Sequence, residues 1–245
     1  MPRIARRFKR GEYMHLIVRG IGRQALFEDE DDFRFFLTAL ERFSQDTEVQ
    51  ILAYCLMENH VHLLVHDPAA AVSLMMKKIG VSYAYHYNQK YDRVGHLFQN
   101  RFLSEVIDSS MALVRVFRYI LNNPYKAGIC PANRYRWSSY SLYDTDNTFL
   151  ETGILRELLG DFSQMESFLC EENDDIYMED STPRRDDKWA KKTIFQTLEI
   201  NNGTILAALE KSERNKALRK LKNAGLTIRQ IERLTGISRS IIHRA

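Results

Sequence analysis

Two histidines separated by one apolar residue, His60 and His62, are the side chains of this sequence best suited to metal chemistry. They lie in the run MENHVHLLV. Side chains alternate along a β-strand, so a strand here would place both imidazoles on the same face. Neutral imidazole nitrogens are common ligands of divalent metals. The spacing alone also fits two histidines that simply pack in a sheet, and it leaves both interpretations open.

A second segment, RYILNNP, offers a tyrosine that could act as a nucleophile on a phosphodiester near such a metal. This residue is Tyr119. A phenol hydroxyl has an ordinary pKa near 10 and needs help to lose its proton at neutral pH. The residues themselves do not choose between Tyr119 and its rivals, which are Tyr125 and the helix tyrosines Tyr83, Tyr85, Tyr87 and Tyr91.

The elements that must position these residues follow from hydrophobic periodicity. The patterns predict strands at 13–19, 49–57, 60–66 and 102–107 and helices at 30–43, 71–90 and 111–122. The order β-α-β-β-α-β-α is typical of an α+β fold, a ferredoxin-like split βαβ in which an antiparallel sheet carries helices on one face. The lone histidines His15, His86, His96 and His243 have no paired spacing, and we expect them to be structural.

The C-terminal part of the chain predicts an all-α helix-turn-helix with a turn at Gly236. From Lys191 onward there are 12 Lys/Arg and 4 Asp/Glu, a net charge of +8, whereas the whole chain carries +3. Such a basic piece suits a nucleic-acid-binding appendage, with a structural helical cap as the alternative. We expect domains at 1–145, 146–190 and 191–245, the middle one ending in an acidic linker. Candidate DNA contacts in the last domain are Arg229, Arg239 and Arg244.

The composition is that of a globular protein, with 44% hydrophobic and 27% charged residues. No apolar run approaches the roughly 20 residues of a membrane span. The basic N-terminus lacks the apolar segment of a secretory signal. The three cysteines are far apart and suit a reducing compartment. We therefore expect a cytoplasmic, nucleoid-associated protein.

Taken together, four motifs resemble those of the HUH single-tyrosine transposases, which include insertion-sequence and REP-associated enzymes. The motifs are HVH at 60–62, GHLFQNRF at 95–102, YILNNPYKAG at 119–128 and WSSY at 137–140. They occur in the family's order and spacing, and the resemblance covers about residues 8–145. It implies the HUH endonuclease fold and does not extend to the C-terminal helices.

The resemblance implies Tyr119 as the catalytic nucleophile and His60 and His62 as metal ligands. The family's third ligand commonly follows the tyrosine by four residues, which points to Asn123; an Asn before a proline is also a common helix-end residue. The metal would be Mg²⁺ or Mn²⁺. The implied reaction cleaves single-stranded or hairpin DNA through a 5′-phosphotyrosine.

Three arginines of the matched region, Arg101, Arg115 and Arg118, are candidate phosphate contacts, although exposed arginines are common on any surface. Duplex DNA is a further partner for the C-terminal module, and no membrane partner is expected. The family includes monomers and homodimers. The main alternative function is a non-catalytic, sequence-specific DNA-binding regulator that retains the transposase fold.

Overall fold

The computed structural model describes residues 8–173, 175, 187–200, 203–224, 226 and 228–244. The chain divides into two compact units, the first ending at residue 177 and the second beginning at residue 178. Each unit has a hydrophobic core of its own. The predicted histidine and tyrosine site lies in the first unit.

The first unit is built on one four-stranded antiparallel sheet. Its strands are β1 (Glu12–Arg19), β2 (Gln50–Met57), β3 (His60–Asp67) and β4 (Leu103–Ile107). Their order across the sheet is β2-β3-β1-β4. Only Glu58 and Asn59 separate β2 from β3, so these two antiparallel strands form a tight hairpin. This order is that of a split βαβ, so the predicted fold class is confirmed.

Besides three short 3-10 helices, the described part of the first unit has six α-helices: α1 (Glu30–Thr47), α2 (Val72–Lys90), α3 (Ser110–Leu121), α4 (Asn123–Lys126), α5 (Gly153–Leu159) and α6 (Phe162–Cys170). Helix α1 packs along α2, and α3 packs against β2 and β3. Consecutive residues of β3, from Val61 to Val65, are all buried, so this central strand is covered on both faces. The expectation of helices on one face describes only part of this cover, because neighbouring side chains of a strand point to opposite faces and all five are buried.

Polar side chains fix the ends of α1 and α2. Asp29 and Asp32 form a reciprocal capping box at the start of α1. Asp32 also accepts hydrogen bonds from Lys90 Nζ (2.9 Å) and Tyr91 Oη (2.7 Å), which ties the start of α1 to the end of α2. Buried Asp67, the last residue of β3, accepts hydrogen bonds from the main-chain N–H groups of Ala71 and Val72, where α2 begins.

The outer edge of β2 is covered by the segment that contains the WSSY motif. The main-chain N–H of Ser139 donates to the Tyr54 carbonyl (3.0 Å), and the Tyr54 N–H donates to Ser139 Oγ (3.0 Å). Tyr143 Oη donates to the Leu52 carbonyl further along the same edge. The motif thus covers a strand edge that would otherwise be open to other chains.

The second unit is helical in its described residues. It contains α7 (Asp187–Leu198), α8 (Lys211–Asn223), α9 (Ile228–Thr235) and α10 (Arg239–Arg244). Gly236 joins α9 to α10 with a φ of +73°, a left-handed conformation that favours glycine. The predicted C-terminal helical region is confirmed. No helix in the described part of either unit is both long and apolar enough to span a bilayer.

Candidate functional site

The pairing of β1 with β3 places His15 on the same face of the sheet as His60 and His62. His60 lies opposite Arg19, His62 lies opposite Ile17, and His15 lies opposite Leu64. Because side chains alternate with period two on both strands, His15 points to the same face as His60 and His62. His15 is two positions away from the residue opposite His62, so it is a diagonal neighbour of that side chain.

His62 is the centre of the site and is fully buried. Its Nδ1 lies 2.9 Å from His15 Nε2, and its Nε2 lies 3.3 Å from Asn123 Nδ2. The His60 ring lies edge-on to it, with ring centroids 4.9 Å apart. The structure therefore brings His60, His62 and Asn123, the three predicted metal ligands, to one place.

The donor set of this cluster fits a divalent metal. His60 Nδ1 lies 2.7 Å from Asn59 Oδ1, and His62 Nδ1 is engaged by His15. A metal would be held through Nε2 of both rings, since neighbours that hold the opposite nitrogen are typical of ligand histidines. The third donor would be Asn123 Oδ1, which requires the amide to turn. In the described part of the chain, no group of three or more His, Cys, Asp or Glu side chains is placed to hold an ion.

Tyr119 lies on α3, directly beside this cluster. Its ring centroid is 5.7 Å from that of His62 and 6.0 Å from that of His15, both edge-on. Lys126 Nζ lies 5.0 Å from the centroid of the same ring. Tyr119 is only 2% exposed, so a DNA phosphate needs the cover over this ring to open before it can reach the hydroxyl.

The helix that carries Tyr119 is held from its other side by the segment that follows α6. Buried Arg118 donates from Nε to Asp175 (2.8 Å) and from Nη1 to Glu171 (3.2 Å). Asn122 donates to the Leu169 carbonyl (2.8 Å), and Lys126 donates to the Asp175 carbonyl. A phosphate contact by Arg118 stays a prediction, and it would require these ion pairs to separate.

The rival tyrosines of α2 serve the packing of α1 and α2. Tyr83 Oη donates to the Leu26 carbonyl, and burial raises its pKa. Tyr87 donates to Glu28 (3.0 Å). Burial is the main cause that raises the pKa of Tyr91 to about 12, and the hydrogen bond to Asp32 adds to it. Tyr85 is exposed. None of these side chains contacts the histidine cluster in the described structure, which favours Tyr119.

The remaining arginine candidates differ in position. Arg115 is exposed on α3. Arg101 lines a cleft of about 730 Å³ between α2 and the segment 95–102, together with Lys77 and His96. Arg229, Arg239 and Arg244 lie on α9 and α10, and the structure describes the backbone position of these three arginines.

His15 is the site residue that sequence reasoning missed. It stands 47 positions before His62 and shares no motif with it. The signal that could have found it is the register of β1 on β3, which a single sequence does not provide. His66 lies on the same face but at the far end of β3, where it stacks on Tyr13 and contacts Gln50 (2.6 Å).

The split βαβ sheet, with its His-Val-His strand beside the helix that carries Tyr119, is the arrangement that the resemblance to HUH single-tyrosine transposases implies. Residues 9–123 match the family described as IS200-like transposases. The recognition made from the motifs is confirmed.

The fold is similar to that of a REP-associated tyrosine transposase solved with a REP hairpin, with a TM-score of 0.50 and 17% identity over 62% of this chain and 98% of that one. A presumed transposase from Deinococcus radiodurans R1 is more distant, with a TM-score of 0.34 and 15% identity over 53% and 99% of the two chains. Among curated proteins, none matches this sequence.

Proposed function

We propose that this chain is a metal-dependent, site-specific single-strand DNA endonuclease and strand transferase that acts through Tyr119. The proposal is carried by the meeting of three groups in the first unit. Asn123 Nδ2 lies 3.3 Å from His62 Nε2, and the rings of His62 and Tyr119 lie edge-on with centroids 5.7 Å apart. A tyrosine nucleophile beside metal-binding groups is suited to attack on a phosphodiester.

In the proposed reaction, Tyr119 Oη attacks phosphorus in line with the bond to the departing 3′ oxygen. A new O–P bond joins the tyrosine to the phosphate at the 5′ end of the downstream fragment, and the P–O3′ bond to the upstream fragment breaks. The tyrosine proton passes to solvent, and the departing oxygen takes up a proton to become a 3′-OH. Because the phosphotyrosine retains an ester linkage, a 3′-OH can attack it in the reverse sense and rejoin DNA without ATP.

A Mg²⁺ or Mn²⁺ ion held by His60, His62 and Asn123 would polarise the scissile phosphate and stabilise charge that develops in the transition state. The mixed nitrogen and oxygen donors favour Mn²⁺, which tolerates imidazole more readily than Mg²⁺ does. The chain itself orients the nucleophile, because α3 packs on β2 and β3 and the rings of His15 and His62 contact Tyr119 edge-on.

We propose that the DNA substrate is a single strand with a folded hairpin, the partner present in the solved REP-associated relative. The cleft beside α2 supports this class of ligand, because none of its lining residues is acidic and it includes Lys77 and Arg101. Phe98 and Phe102 also line it, and aromatic rings stack on unpaired bases. The segment 95–102 that lines this cleft is bonded to β1, the strand that carries His15, because the Gln99 N–H donates to the Arg19 carbonyl.

The test is covalent capture of DNA. Labelled hairpin-bearing single-stranded DNA from the flanks of the protein's own gene is incubated with the full chain and Mn²⁺ or Mg²⁺. We expect an SDS-resistant adduct from the wild type and none from Tyr119→Phe. Tyr125→Phe is the matched control, because Tyr125 is 67% exposed and should leave the adduct unchanged.

An adduct that persists in Tyr119→Phe would contradict the proposed nucleophile. A wild-type protein that binds the hairpin but forms no adduct with either metal would instead support the alternative, a DNA-binding regulator that keeps the fold.

A further inference from the structure

His15 has no place in the motifs, yet it is the side chain that engages His62 from behind. Both residues are fully buried, and the 2.9 Å contact joins His15 Nε2 to His62 Nδ1. The contact spans neighbouring strands at a diagonal position, so the register of β1 on β3 fixes its geometry. Such a contact determines which nitrogen of His62 carries the proton.

The direction of the hydrogen bonds follows from the donor and acceptor inventory of the groups. Asn123 presents Nδ2 to His62 Nε2, and an amide nitrogen can only donate. His62 Nε2 therefore accepts, and a neutral His62 carries its single ring proton on Nδ1. In this orientation of the Asn123 amide, the 2.9 Å contact lets Nδ1 donate that proton to His15 Nε2. In this network, the unprotonated nitrogen of His62 is Nε2, and its lone pair points toward Asn123 and Tyr119.

We propose that His15 is a positioning residue that fixes the tautomer and ring orientation of His62, so that Nε2 is its metal-binding atom. The role in metal binding rests on the proposed function, whereas the tautomer exists without metal. His15 also contacts the Tyr119 ring edge-on at 6.0 Å, so one residue of β1 supports both a ligand and the nucleophile. Groups behind metal-ligating histidines usually change metal affinity 10–100-fold when they are removed.

The first measurement needs no metal. Long-range ¹H–¹⁵N correlation spectra of histidine-labelled full-length protein, at mildly alkaline pH, report which ring nitrogen of His62 is protonated. We expect the Nδ1–H form in the wild type and in His15→Gln, whose amide can accept near the position of Nε2. We expect a mixture or the Nε2–H form in His15→Leu, because a buried Nδ1–H would lose its acceptor there and the Asn123 amide can turn to accept from Nε2–H through Oδ1. An Nε2–H form in the wild type, or an unchanged Nδ1–H form in His15→Leu, would overturn the proposal.

The second measurement is the Mn²⁺ dissociation constant of the same variants, which calorimetric titration gives. We expect His15→Leu to weaken binding about 10–100-fold, and we expect His15→Gln and the control His66→Gln to stay within a few-fold of wild type. Thermal unfolding verifies that each variant is folded. Equal losses in His15→Leu and His15→Gln would contradict the role of the hydrogen bond. If wild type binds no Mn²⁺, the proposed metal site fails, and the tautomer measurement still decides the role of His15.

Discussion

At the scale of single residues, two adjacent asparagines after Tyr119 have different partners. Asn122 Nδ2 donates to the Leu169 carbonyl at 2.8 Å, and Asn123 Nδ2 lies 3.3 Å from His62 Nε2. Helix α3 ends at Leu121, and the short α4 begins at Asn123, so the two side chains diverge toward α6 and toward the sheet. One asparagine therefore supports the packing of the helix end, and the other belongs to the site.

This divergence gives a paired prediction for metal binding. Asn123→Ala should weaken Mn²⁺ binding by at least about tenfold, because even residues that only support a ligand change affinity 10–100-fold. Asn122→Ala should leave the Mn²⁺ affinity near that of wild type and lower thermal stability instead. Calorimetric titration with Mn²⁺ and thermal unfolding measure the two effects. Equal Mn²⁺ affinities for wild type and Asn123→Ala would show that Asn123 is not a ligand.

The residues that local patterns could predict are those that lie close together in the sequence. The shared face of His60 and His62 follows from the period of a strand, and that of Tyr119 and Asn123 from the turn of a helix, whereas the choice of Tyr119 over its rivals came from the family resemblance. His15 depends on strand register, and Asp175 depends on how the segment after α6 returns to α3. Contacts of this kind join distant parts of the chain and have no periodic signature in a single sequence.

At the scale of elements, the anchoring of α3 depends on one buried cation. Asp175→Asn removes the carboxylate closest to Arg118, whose side chain is only 9% exposed, and should lower the free energy of unfolding by about 1.5–3 kcal/mol. Glu171→Gln is the matched control, because Glu171 is 62% exposed and such pairs contribute about 0–1 kcal/mol. Urea unfolding followed by circular dichroism measures both. Similar losses in the two variants would contradict the assignment of Asp175 as the main anchor.

The junction of α1 and α2 should respond to acid. Burial alone would raise the pKa of Asp32, but hydrogen bonds from Lys90, the Glu28 N–H and Tyr91 outweigh it and hold the pKa below its ordinary 3.8. The stabilisation is therefore present above that value and is lost as the pH falls through the lowered pKa of the folded protein. Asp32→Asn should lower the free energy of unfolding by about 1–3 kcal/mol near neutral pH.

The difference between wild type and Asp32→Asn should shrink as the pH is lowered below 3.8. Urea unfolding at several pH values measures it. Asp46→Asn serves as a control, because its pair with Lys78 is exposed and should contribute at most about 1 kcal/mol at any pH. A difference for Asp32→Asn that is the same at neutral and acidic pH would refute the role of the ionised carboxylate.

At the scale of the whole molecule, sequence patterns predicted different features of the two units. The antiparallel sheet was predictable because its strands and helices alternate with distinct hydrophobic periods. The cover on both sheet faces was not, since periodicity in a strand cannot say what packs against it. In the second unit, the apolar positions around Ile231, Ile237 and Ile242 form the core, and the basic residues are left for the surface.

The basic surface of the second unit leads to a prediction for duplex DNA, the partner we propose for this module. Lys216 and Lys220 are exposed one turn apart on α8, a position that suits binding to phosphates. Changing both to Gln in the full chain should weaken duplex binding and reduce the slope of log K against log salt by about 0.9 for each phosphate that is no longer neutralised.

Arg42→Gln with Arg156→Gln removes the same charge from the exposed surface of the first unit and should leave the slope near that of wild type. Binding titrations over a range of salt concentrations measure these slopes. An unchanged slope in the α8 variant would contradict a DNA-binding role for that helix, and equal reductions in both pairs would indicate a general effect of net charge.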